Sequence, residues 1–235
     1  MAYIYIDTKK IAHNLSRVLE VCTSKSVELS VVVKFALSEA GLVRFLAHNG
    51  VSAIADSNMA AFAKELPAVK KGLIKTRLSD ILALPHTPPA FRPDVLYISD
   101  EALLTAALSL PDVPDIFLIA EAGDYRDGFA PEEIPAVAAR YAGLPFAGVA
   151  ANFGCLSGCM PSVETVRRLK EASCAAAEAA AHAQKAASNA RKLCGGMPPS
   201  LPSGTSGGNS GQPQPPPPPG VRKRPPHGGG PPPPP

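Results

Sequence analysis

Strand-like and helix-like segments alternate along this chain, and that alternation constrains its fold more than any other feature. "VELSVVVKF", "VSAIA", "GLIKTRL", "DVLYIS", "DIFLIAEA" and "PFAGVAANF" are short runs rich in β-branched and apolar residues, the composition of strands. Between them lie stretches with apolar residues at helical spacing. Ser38 precedes "EAGLVRFLAHN" as a cap, and Gly50 ends that helix. "DSNMAAFAKEL" runs up to Pro67, and "DEALLTAALSL" starts from Ser99 or Asp100. "PEEIPAVAARYA" has Pro131 and acids in its first turn, where the helix dipole favours them. "SDILAL" is ambiguous. Short connections between alternating elements imply parallel strands joined by right-handed crossovers. A (β/α)8 barrel and an open doubly wound sheet both fit. No Gly-x-Gly-x-x-Gly follows a strand, which weakens the dinucleotide-binding sheet and favours an α/β fold of the TIM-barrel type.

The two ends complicate that picture. "YIYID" reads as a further strand, after which Asp7 or Thr8 caps a helix with Ile11, Leu15, Val18, Leu19 and Cys22 on one face. Six more strands follow, up to Phe153, and a barrel needs eight, so the barrel is expected to be incomplete. From Ser162 an alanine-rich helix begins, with high intrinsic propensity but few large apolar residues to pack. Composition then changes abruptly. Residues 195–235 hold 16 of the 27 prolines and 10 of the 19 glycines. The expected organisation is therefore a partial barrel over 1–194 and a disordered Pro/Gly-rich tail over 195–235. The tracts Pro215 to Pro219 and Pro231 to Pro235 suit a solvated polyproline II helix of the kind that docks on SH3, WW or profilin-type domains.

The charge balance excludes some partners. The 23 Lys and Arg exceed the 20 Asp and Glu by three, and Arg222, Lys223 and Arg224 of the tail account for that excess. The body is neutral and has no electrostatic footprint for nucleic acid. "MAYIYIDTKK" lacks the basic-then-apolar pattern of a signal peptide, and no apolar run is long enough to span a bilayer. Five scattered cysteines, Cys155 and Cys159 among them without a second pair at zinc spacing, fit free thiols and a cytoplasmic protein with no metal site.

Lys34 raises the chemical question. It follows the run "LSVVV" and precedes apolar Phe35 to Leu37, in a stretch whose lack of alternation reads as a strand buried on both faces. The C-terminal ends of barrel strands are where such folds place chemistry. In one reading the lysine stem packs and the amine reaches water. In the other, a poorly hydrated ammonium gives up its proton and the neutral amine attacks an aldehyde. The usual partner in that chemistry is pyridoxal phosphate.

Several stretches together resemble the alanine racemase N-terminal domain family, in particular its single-barrel amino-acid racemases of the ornithine racemase type. "YIYIDTKKIAHNLSRVLEVC", "VVVKFA" and "HNGVSAIADS" are similar to its opening, in which a strand ends in the cofactor lysine. "AEAGDYRDGFAPEEI" is similar to its Asp-x-Gly-x-x-Arg-x-Gly segment, and "GVAANFGCLSG" to its Gly-x-x-Thr-Asn-x-x-Cys segment. The resemblance spans roughly residues 3 to 190 and implies a fold-type III pyridoxal 5'-phosphate enzyme, most simply an amino-acid racemase. Lys34 would hold the cofactor as a Schiff base and exchange the Cα proton of an amino-acid substrate on one face. Arg126 would lie near the substrate carboxylate or the cofactor's phenolic oxygen, the competing reading being a surface pair with Asp124 or Asp127. Asn152 would border the ring, or else satisfy loop backbone. Ser206, Asn209 and Ser210 of "SGGNS" would bind phosphate, although linker sequence yields such a string easily. Asp56 and Ser57 read as caps, and His13 and Asn14 as residues packed near the barrel base or bonded to backbone. Glu121 replaces the family's aspartate, Ala151 its threonine, and no Arg-x-Gly strand follows. The second proton-handling group of a racemase is not identifiable, and a partner subunit in a homodimer is one place for it. The alternative is a non-catalytic cofactor-binding relative, or an interaction protein using its polyproline tail.

Overall fold

The structure, a computed structural model, describes residues 5–34, 39–62, 68–141, 143–153 and 160–193, with side-chain surroundings as far as residue 188. The proline tail, Ser206, Asn209, Ser210, Cys155 and the cap Ser38 lie outside the described residues. The described residues all belong to one compact unit, Met1–Gly196.

Six parallel strands form one sheet in sequence order: β1 Ser30–Val32, β2 Ala53–Asp56, β3 Lys70–Leu73, β4 Val95–Ile98, β5 Asp115–Ala120 and β6 Phe146–Ala151. Each strand pairs with the one before it in the chain, as right-handed β-α-β winding around a barrel requires. The fold is α/β, an incomplete TIM barrel. Helices α1 Thr8–Ser24, α2 Ala40–His48, α3 Leu78–Ala83, α4 Glu101–Leu108, α5 Ile134–Arg140 and α6 Val163–Leu193 accompany it.

Local chemistry sets most helix starts. The Asp7 carboxylate accepts from Lys9 N and Lys10 N at 3.1 Å and begins α1. Asp100 accepts from Leu103 N at 2.9 Å and begins α4. Glu39 caps α2 by accepting from Leu42 N at 2.8 Å. The ambiguous "SDILAL" forms much of α3 and the 3-10 turn after it, and at the start of α3 the Asp80 carboxylate accepts from Arg77 N at 3.1 Å and from Arg77 Nε at 2.9 Å. After β2 the chain takes a 3-10 turn, Met59–Phe62, where a regular helix was expected. In α6 the inward residues Leu169, Ala172, Ala176 and Ala180 join the core, while the next turns show no buried residue through Ser188. Alanine supplies helix propensity but little area to bury, so the helix outruns the core as its composition implied.

The two faces of the sheet differ. Ile54, Leu73, Leu96, Ile98, Ile116 and Leu118 point to the helix side and are at most 1% exposed. Alternate positions Ala55, Tyr97 and Ile119 line a concavity, the first buried and the other two half-buried. That alternation corrects the expectation for β1. Val33 is fully buried on the helix side, but Val32 on the other face is 45% exposed and Lys34 is exposed. As the first strand in the row, β1 has a neighbour on one side only among the described residues, and its inner face meets an open hollow. The expected N-terminal strand is also corrected as far as it is described. Tyr5 to Asp7 have no strand pairing, and Tyr5 is 92% exposed. His13 and Asn14 sit on the exposed side of α1, not against the barrel base.

Candidate functional site

A concavity of about 1190 Å³ opens at the C-terminal ends of the strands. Its walls include Lys34, Ser57, Lys75, Tyr97, Asp124, Arg126 and Asn152. Three of the residues singled out in the sequence, Lys34, Arg126 and Asn152, therefore come to one surface from β1, the loop after β5, and the end of β6.

Backbone pairing delivers Lys34. Val33 N donates to Ala55 O at 3.0 Å and extends the β1–β2 ladder by one residue. Lys34 follows, in the same alternation as Ser30 and Val32, which also line the hollow. The dry environment anticipated for its amine is absent, because the side chain is exposed.

The opposite wall is closely built. Residues 121–129 leave the end of β5 and return to it. Phe129 N donates to Ile119 O at 2.8 Å and Glu121 N to Phe129 O at 2.9 Å, closing the loop. Gly128 makes the return possible. Its φ is +155°, and a Cβ there would lie 2.7 Å from Glu121 N, inside contact distance of backbone. Inside the loop the Glu121 carboxylate accepts from Gly123 N and Tyr125 N, both at 2.8 Å. Tyr125 has a positive φ of 55°. Glu121, noted in the sequence only as a departure from a family pattern, thus organises the segment that presents Arg126.

Asp124 is the residue that sequence reasoning mentioned only in passing. It is 2% exposed. Its Oδ2 accepts from Asn152 Nδ2 at 2.7 Å and lies 3.7 Å from the Arg126 guanidinium. The Arg126 side chain is itself about 29% exposed, open toward the concavity. Both candidate roles are touched by this geometry. Arg126 pairs with Asp124, and the Asn152 amide donates to the same carboxylate. Asp56 accepts from Asn58 N at 2.9 Å and turns the chain after β2, as a cap would.

The floor between the two walls is aromatic. Tyr97 and Phe117 stack with centroids 5.3 Å apart and planes 12° from parallel. Gly148 leaves room for them, since a Cβ there would sit 2.9 Å from Phe117 Cε1. Burial pushes the Tyr97 phenol above its ordinary range, against the opposing charge of Lys70. A second, smaller cavity of about 380 Å³ lies behind the loop, between Ala122, Gly123, Pro131 and α6. Among the described residues no three His, Cys, Asp or Glu side chains cluster as metal ligands, and no helix is long and apolar enough to cross a membrane.

Comparison with known proteins places this geometry. Alanine racemase from Corynebacterium glutamicum superposes with a TM-score of 0.57 at 19% identity, over 76% of this chain and 53% of that one. A mutant of D-threo-3-hydroxyaspartate dehydratase in its metal-free form superposes with a TM-score of 0.51 at 17% identity, over 78% of this chain and 51% of that one. The chain spans about half the length of these proteins, and at such identities the likeness is one of fold. No curated protein sequence matches it. The family described as "Alanine racemase, N-terminal domain" matches residues 6–196, most of the chain and all the strands and helices above. The chain therefore belongs to the alanine racemase N-terminal domain family.

Proposed function

We propose that this chain binds pyridoxal 5'-phosphate through Lys34 and acts on the Cα–H bond of a free amino acid, as a racemase does. The observation that carries the reading is the meeting of Lys34, Arg126 and the strand-end Asn152 on a single concave surface, which Lys75 and Arg77 also line, in a chain of this family. The donor set suits the cofactor. Lys34 offers a primary amine to an aldehyde, Arg126 a guanidinium to an oxyanion, and Asn152 an amide at the rim. Ser206, Asn209 and Ser210 are proposed to take the phosphate. When bound, the cofactor supplies an electron sink for negative charge at Cα.

The chain's own residues divide the remaining work. Lys34 moves the Cα proton on its side of the substrate. Arg126 fixes the substrate carboxylate or another anionic oxygen of the bound pair, the task to which a planar fork of donors is suited. A second proton-handling group is needed on the opposite face, and a second copy of the chain is the proposed source.

One observation favours a second reading. Lys34 is exposed, and proton transfer at carbon works best where water is excluded. A chain that binds the cofactor without turning over substrate fits that exposure.

The experiment treats the protein with pyridoxal phosphate, reduces with borohydride and maps the pyridoxyl group by peptide mass. Optical rotation of enantiopure amino acids is followed in parallel. We expect the mass on Lys34, its loss in Lys34→Ala, and decay of rotation for at least one amino acid. A mass on Lys34 with no decay selects the binder. No fixed mass at all removes both readings.

A further inference from the structure

The loops after β5 and β6 meet at one carboxylate. Asp124 is buried to 2% exposure, accepts from Asn152 Nδ2 at 2.7 Å through Oδ2, and places the same oxygen 3.7 Å from the Arg126 guanidinium. Asp124 and Asn152 are 28 residues apart in sequence. The last pairs of the ladder, Ile119 with Ala150 and Ala120 with Ala151, bring them together. We infer that Asp124 is the positioning residue of this site. Locked by Asn152, it holds Arg126 at the angle from which the guanidinium receives an anionic group in the concavity. This deepens the cofactor reading and rests on it for the identity of the anion.

The physical argument has three steps. A carboxylate this buried needs compensation by hydrogen bonds and a counter-charge, and Asn152 and Arg126 contribute both. A separation of 3.7 Å is an ion pair rather than a bidentate fork, so the Arg126 donors are not used up by Asp124 and remain for a ligand. A guanidinium on a surface loop loses conformational entropy when it binds an anion, and an aspartate that already orients it lowers that cost. Asn152 in this arrangement acts on Arg126 through Asp124. Glu121 supports the arrangement by holding Gly123 N and Tyr125 N on either side of Asp124.

The test reads Arg126 directly, by 15N relaxation of its Nε–H group in the full chain without cofactor, for wild type, Asp124→Asn and Asn152→Ala. Arg126 order should fall in both variants, while Arg77, paired with Asp80 on α3, keeps its own. Unchanged order of Arg126 in Asn152→Ala overturns the inference. So does an equal loss at Arg77, which would mean a loosened fold. Asn152→Ala decides the matter even if Asp124→Asn does not fold. Titration with pyridoxal phosphate is the second readout. Arg126→Ala should weaken binding about tenfold or more. Asp124→Asn should weaken it severalfold alone, yet add nothing in the Arg126→Ala background, because the pair acts as one unit. Additive losses overturn the inference. If wild type takes up no pyridoxal phosphate, the cofactor reading falls, and the relaxation result still decides the role of Asp124.

Discussion

The two walls of the concavity are built to different standards. On one side β5 and β6 are six residues each, and the loop between Ala120 and Phe129 is fixed by backbone pairing, Glu121, Gly128 and the Asp124–Asn152 bond. On the other side β1 has three residues, two of them exposed, and it presents Lys34 to open space. The side that presents Arg126 is organised by its own hydrogen bonds. Among the described residues the amine side is set in place by its backbone but not enclosed. The two walls are thus separable, and each can be attacked without the other.

The largest separation should appear in core stability. Leu118 of β5 is fully buried, whereas Val32 of β1 is 45% exposed. Truncating a buried leucine removes transfer energy and leaves a cavity, a loss of about 2–5 kcal/mol. A truncation on an exposed edge stays within roughly 0.5 kcal/mol. Urea unfolding of Leu118→Ala and Val32→Ala should differ accordingly. Equal losses would show that β1 is covered in solution, by another part of the chain or by another copy.

Next comes the loop. Gly128→Ala places a methyl group against Glu121 N and Ala120 C at 2.7 and 3.0 Å, in a backbone conformation that L-residues avoid. The neighbours are main chain and cannot rotate away. A loss of about 1–3 kcal/mol is expected, with Lys34 still reducible onto pyridoxal phosphate if the walls are independent. A variant that keeps wild-type stability but loses the reaction at Lys34 would show that the walls are coupled.

Much of this fold was legible in the chain, because apolar β-branched runs and helical spacing are local signals. All six strands lie in or beside the runs that announced them. The exceptions have physical causes. β3 begins at Lys70 and Lys71, residues that a strand expectation discounts. Lys71 is accommodated because its N donates to Asp94 at 2.7 Å and its amine to Ala90 O at 2.7 Å, at the rim of the sheet. β1 looked buried because composition records hydrophobicity, not whether a neighbour exists to cover it. Lys34 and Arg126 were found through strand-end position and family pattern. Asp124 was seen only as one of two surface partners for Arg126. Its partnership with Asn152 depends on the β5–β6 pairing, which no local window contains. An acid between Gly123 and Gly128, just past a strand whose neighbour ends in asparagine, was the available signal.

The smallest effect concerns the helices behind the organised wall. Arg140 and Tyr141 both donate to the Glu101 carboxylate and tie α5 to α4. The Arg140 hydrogen bond, then that of Tyr141, holds the Glu101 carboxyl below the usual carboxylate range. A group whose folded-state pKa is depressed contributes stability that is present above its unfolded value and is lost as pH falls through the folded one. Because the group is exposed, solvent and salt screen that contribution. Glu101→Gln should therefore lower the urea midpoint slightly at pH 7 and less at high salt. The gap from wild type should close as pH falls below about 4, the unperturbed glutamate range. A gap that does not narrow at all as pH falls from neutral through the acid range would assign the loss to packing between α4 and α5 rather than to charge. The firmness of this side of the site would then rest on shape alone.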